Sequence, residues 1–71
     1  MHDDRHVVVK DGKVASQGWR GAPGSGFIWT HNTTRDDWML IFPTPHGARL
    51  FANMNGGKPI SLVEHMTRVA A

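Results

Sequence analysis

The 71-residue chain contains no cysteine. Neither a disulfide framework nor a thiolate zinc site is therefore available, and stability must come from packing, oligomerisation or both. The absence fits a cytoplasmic protein. Long apolar runs are missing too. The N-terminus, MHDDRHVVVK, offers only three consecutive valines, far short of a signal-peptide core, and no stretch approaches the roughly 20 apolar residues of a membrane span. The chain is expected to be soluble and unprocessed, with no membrane partner. Charge of one sign is also scarce. Eight Lys and Arg face six Asp and Glu, a balance too even to demand a polyanionic partner. The small excess lies in the C-terminal half, where Arg49, Lys58 and Arg68 face only Glu64. Seventy-one residues make one domain, 1–71, near the lower limit for a single core, with residues 1–5 expected to fray.

The sequence does hold a concentration of bulky apolar residues. Residues 26–51 contain all three Phe and two of the three Trp, so the core is expected to be organised around this stretch. Before it, residues 6–10 and 13–17 flank Asp11-Gly12, a pair suited to the positive φ angles of a type I′ hairpin turn. The first arm is β-branched. The second is weakly apolar and reads as an edge strand. Residues 18–26, GWRGAPGSG, hold four Gly, a Pro and a Ser and read as a loop carrying Trp19 beside Arg20.

Residues 27–31 alternate, placing Phe27 and Trp29 on one face and Ile28 and Thr30 on the other. A polar turn follows at 32–37. Residues 38–42 are apolar on both faces, the pattern of a central strand covered on each side. Pro43 and Pro45 end it. Residues 48–54 read as a further strand with Leu50, Ala52 and Met54 on one face, closed by Asn55-Gly56-Gly57. Ser61 and Glu64 fit a capping box. Leu62, Val63, Met66, Val69 and Ala70 then form the apolar stripe of a helix over 62–69, with Glu64 and Arg68 as an i,i+4 pair and His65 on the solvated flank. These elements make an α+β domain: a small antiparallel sheet of four to five strands, namely an N-terminal hairpin, a Gly-rich loop and a three-strand meander, with one C-terminal helix packed on it. One helix covers one face only. The surplus apolar face of residues 38–42 therefore points to a homo-oligomer, a dimer first.

No residue pattern marks a catalytic centre. Ser61 is needed as a cap, while Ser16 and Ser25 lie on a weak strand and a loop, so no Ser-His-Asp arrangement is assembled. Of the five histidines, His46 could serve as base with Arg35 or Arg49 on a phosphate, as in a small nuclease, but any chain with this many His and Arg permits that. His2, Asp3, Asp4 and His6 match no metal-ligand spacing. Neither a catalytic residue, a metal nor a cofactor is assigned. The glycine-rich loop lacks the Lys and Ser or Thr of a phosphate cradle. The sequence points instead to a small non-enzymatic interaction module, regulatory or accessory, working through protein–protein contacts and self-association. The candidate binding residues are Trp19, Arg20, Trp29, Arg35, Trp38 and Arg49, of interface-enriched types. The alternative is nucleic-acid binding, with sheet aromatics stacking on bases and arginines on phosphates.

Overall fold

The computed structural model describes residues 4–17, 27–31 and 39–70. The glycine-rich loop at 18–26 and the polar turn at 32–37 lie outside them. Within the described residues the order is β1 (His6–Lys10), β2 (Lys13–Gln17), β3 (Phe27–His31), α1 (Pro45–Asn55), β4 (Lys58–Ser61) and α2 (Leu62–Ala70). The sheet has four antiparallel strands in the order β3-β2-β1-β4. With a C-terminal helix packed on it, this is the α+β architecture expected from the sequence.

The Asp11-Gly12 turn forms as its residues dictate, with φ of 51° and 77°. The hairpin it closes is short, because β1 and β2 are paired only at Val9↔Val14 and Lys10↔Lys13. Beyond those two rungs the arms part, and residues 39–42 enter the fork. The N–H of Leu40 donates to the Ala15 carbonyl at 3.0 Å, and Phe42 exchanges both backbone bonds with His6 at 2.8 Å. The wedge thus satisfies backbone groups that the splayed hairpin would leave open.

Two-sided burial follows from this position. Met39 and Ile41 join Val7, Val14, Ile60 and Leu62 in one core cluster. Leu40 and Phe42 join Val8, Ala15, Ala48 and Ala52 in the other. The apolar segment thus contributes to the core on both sides, with Met39 fully buried and Leu40, Ile41 and Phe42 partly so, but it is bound through bridges at Met39 and Phe42 rather than a full ladder. β2 is not the edge strand that its composition suggested. It lies between β1 and β3 with Val14, Ala15 and Ser16 all buried. Its small side chains leave room for the wedge. The Ser16 hydroxyl is kept satisfied by the Thr30 hydroxyl at 2.6 Å and the Val14 carbonyl at 3.3 Å.

A second correction is larger. Residues 48–54 are not a strand but part of α1. Thr44 is its N-cap, in extended conformation, and its hydroxyl accepts from the Gly47 N–H at 3.3 Å. Pro45 sits in the first turn, where a missing N–H costs nothing. At the other end Gly56, at φ 85°, donates its N–H to the Ala52 carbonyl at 2.8 Å. Ala48 and Ala52, one turn apart, let the helix approach closely over Val8 and Ala15. Replacing the cap, Thr44→Ala, is expected to lower stability by about 1 kcal/mol, whereas Thr44→Ser should be nearly silent. Urea melts of the two variants check this.

β4 was not anticipated, and Pro59 within it is unusual for a strand. It survives because β4 is an edge strand, where a missing donor is tolerated. It pairs with β1 at His6↔Ser61, Val7↔Ile60, Val8↔Pro59 and Val9↔Lys58. Ser61 then starts α2, its hydroxyl accepting from the Glu64 N–H at 3.0 Å, while the Leu62 N–H donates to the Arg5 carbonyl at 2.8 Å. The buried stripe differs from the expected one. Leu62, His65, Met66 and Val69 recur at i, i+3, i+4 and i+7, so His65 is buried rather than solvated and Val63 faces outward.

Both helices pack against β1 and β4. Leu62 and Met66 join the first cluster, and Ala48, Phe51 and Ala52 the second, so the two helices cover opposite faces. The wedge's second apolar face is thus closed by α1 within the chain. No second subunit is needed for that purpose. Among the described residues, no helix is long and apolar enough to cross a membrane.

Candidate functional site

Four of the candidate residues, Trp19, Arg20, Arg35 and Trp38, lie outside the described residues. Trp29 and Arg49 are described. Pairing across the sheet sets Trp29 opposite Ala15 and Phe27 opposite Gln17, which puts both aromatic rings on the α1 side. There they meet each other edge-on, with centroids 5.3 Å apart, and Phe27 meets Phe51 of α1 at 4.6 Å. Phe51 in turn lies 5.2 Å from Phe42. The Lys10 ammonium stands 5.8 Å from the centre of the Trp29 ring, a cation–π arrangement. Trp29 is thus held on two sides by its own chain, which speaks for a packing role over a free stacking platform.

These rings are only half-buried. Phe27, Trp29 and Phe51 each keep part of their surface in solvent. The reason is geometric: α1 lies over β1 and β4, so the side of the sheet above β2 and β3 is filled by aromatic side chains and not by helix. The flank of α1 that continues outward from Phe51 is apolar as well. Gly47, Leu50, Phe51 and Met54 recur at i, i+3, i+4 and i+7 on it. Leu50 is 49% exposed and Met54 83%. A strip of apolar surface therefore runs from Met54 and Leu50 through Phe51 to Phe27 and Trp29. Arg49 is exposed on α1, but the helical period sets it on the other shoulder of the helix from Leu50, Phe51 and Met54, so the structure does not bring it into the strip.

The strip leads to β3, one of two edge strands among the described elements. The other, β4, carries Lys58 and Pro59, residues that discourage pairing with a further strand. β3 has no Lys, Asp, Glu, Arg or Pro.

His31 and His46 are exposed on different elements. The His6 ring donates from Nδ1 to the Asp4 carbonyl at 2.7 Å, so it is occupied locally. Among the described residues no three His, Asp or Glu side chains gather to hold a metal ion. No protein family, curated protein or solved structure matches the chain significantly.

Proposed function

We propose that this protein is a small non-enzymatic interaction module that acts through protein–protein contacts, with a second copy of its own chain as first partner. The observation that carries the reading is the strip made by Leu50, Met54, Phe51, Phe27 and Trp29. Met and aromatic side chains are enriched at interface centres. Two features support a second copy as the occupant. A two-fold axis would set the same strip against itself, and neither the strip nor β3 carries a like charge that would repel its counterpart. The adjoining β3 edge, lacking charge and proline, would permit the two sheets to continue into one another. The role is regulatory or accessory. The cytoplasm is its proposed setting, in keeping with a chain that uses no cysteine.

The test uses light scattering on the intact chain across concentration. The wild type is expected to dimerise at high micromolar concentration. Leu50→Glu with Met54→Glu should be monomeric with its melting temperature nearly unchanged, because substitutions at such exposed positions typically stay within about 0.5 kcal/mol. A wild type that remains monomeric, or a double variant that still dimerises, overturns self-association through this strip. Nucleic-acid binding is separated by salt. An apolar interface should barely respond to added salt, whereas oligonucleotide affinity that falls steeply with it would favour the rival reading.

A further inference from the structure

On the other side of the sheet from the aromatic strip, α2 with its buried His65 and the first turn of the chain line an open cleft of about 480 Å³. That volume lies within the range of small-molecule sites. Its floor is apolar, made by Val9 of β1, Ile60 of β4 and Val69 of α2. Its mouth is cationic. Lys58 and Arg68 come to it from β4 and α2, both exposed, and neither side chain is engaged by a partner. Glu64 does not neutralise Arg68 by an i,i+4 ion pair. Asp11, at the turn, is the one carboxylate among the lining residues. Lys10 also lines the cavity, but its ammonium is drawn to the Trp29 ring on the opposite side of the sheet.

The backbone at the rim is unusually accessible. Gly12 and Gly57 both line the cavity, and both adopt positive φ, 77° and 101°. Neither contributes a side chain that could shield the main chain. Nothing lies within 4 Å of the position a Cβ of Gly12 would occupy. Lys58 and Arg68 offer complementary donors to an anion at the cleft: a guanidinium matches the two oxygens of a phosphate or carboxylate in a fork, and an ammonium adds a point charge.

We infer that the cavity binds a small organic anion, a phosphate or carboxylate head carried on a short apolar body. Arg68 and Lys58 hold the head, and Val9, Ile60 and Val69 receive the body. The inference does not rest on self-association, because the strip and the cavity use different faces of the sheet.

The experiment is an amide-resolved NMR titration of the intact chain with phenyl phosphate, hexanoate and inorganic phosphate, at constant ionic strength set by sodium chloride. Phenyl phosphate or hexanoate is expected to give saturable shifts at Gly12, Gly57, Ile60 and Val69, and the tighter of the two identifies the head group. Inorganic phosphate, lacking the apolar body, should bind the same residues at least about tenfold more weakly. Arg68→Ala and Lys58→Ala, both at exposed positions, should each weaken the better probe by about tenfold or more while leaving the spectrum dispersed. The assignment is overturned by the absence of saturable shifts at millimolar probe or by equal shifts from chloride alone. Unchanged affinity when Lys58→Ala and Arg68→Ala are combined in one chain would equally overturn it. Displacement of the probe by oligonucleotides with affinity growing with length would replace the small ligand with a nucleic-acid backbone.

Discussion

Gly57→Ala is expected to destabilise the protein by about 2–4 kcal/mol, a combination of backbone strain and overpacking. Gly57 has φ 101°, outside the range L-residues favour, and a Cβ there would stand 2.8 Å from Val8 Cγ1 and 2.9 Å from the Val9 carbonyl oxygen. The second contact is to backbone at the last rung of the β1–β4 ladder, Val9↔Lys58, and cannot yield cheaply. Trp29 closes the remaining side at 3.2 Å. A domain of this size has roughly 5 kcal/mol of stability, so the variant should keep only about 1–3 kcal/mol and melt at a markedly lower temperature. Gly12→Ala isolates the backbone contribution, since φ is also positive but the Cβ would meet open space. It should cost about 1 kcal/mol, and Gly12→Asn less, because Asn tolerates that conformation. Thermal melts by circular dichroism decide the matter. Equal losses at the two glycines would show that crowding at Gly57 plays no part.

Gly57 also shows why the sequence was legible in some places and not in others. Asn55-Gly56-Gly57 marks a chain reversal in either reading, but a reversal does not say what precedes it. The residues of α1 carry two periodicities at once. Leu50, Ala52 and Met54 alternate with Arg49, Phe51 and Asn53, which suits a strand, while Ala48 with Ala52 and Gly47 with Leu50, Phe51 and Met54 suit a helix. The deciding signals were local. Thr44 followed by Pro45 is an N-cap with proline in the first turn, and Gly56 is a C-cap, together bracketing one helix of 11 residues.

Taking α1 as a strand removed the element that covers the second face of residues 39–42. Much of the apolar surplus that then pointed to a second subunit packs against α1 within the chain. What remains exposed is smaller and elsewhere, on the outer flank of α1 and beside β3. That displacement was not readable from the sequence, because it depends on α1 lying over β1 and β4 and leaving β2 and β3 to the aromatic side chains. The burial of His65 was hidden for a similar reason. Val63 and His65 compete for the sheet-facing stripe of α2. The winner is set by where Ser61 caps the helix and by the Leu62–Arg5 bond, which fix its rotation. By contrast, the hairpin turn, the alternation of β3 and the Ser61 cap are each specified by neighbouring residues, and each formed as expected.

Met39 is the point at which these packing arguments can be tested most severely. It is 1% exposed and the largest fully buried side chain among the described residues. It stands where the wedge, the hairpin and β4 meet, against Val7, Val14, Ile60 and Leu62. Its backbone joins the same junction, through the bridge to Ser16 and a 3.4 Å bond from the Gln17 side-chain amide to its carbonyl. Met39→Ala should therefore cost about 2–5 kcal/mol, the range for emptying a large buried site that cannot collapse. Much of the total stability would go. Met39→Leu keeps the volume and should cost less than about 1.5 kcal/mol. Met54 supplies the contrast within one residue type, being 83% exposed, and Met54→Ala should change the stability of the monomer by no more than about 0.5 kcal/mol. Urea denaturation of the three variants at a concentration where the chain is monomeric gives the ranking. Because residues 39–42 fill the fork that β1 and β2 leave open, amide exchange in Met39→Ala should rise first at His6, Leu40 and Phe42, whose N–H groups bond across the fork, and later at the two hairpin rungs. Uniform exchange across the sheet would instead mean that the hairpin and the wedge open as one unit, and that the fork has no stability of its own.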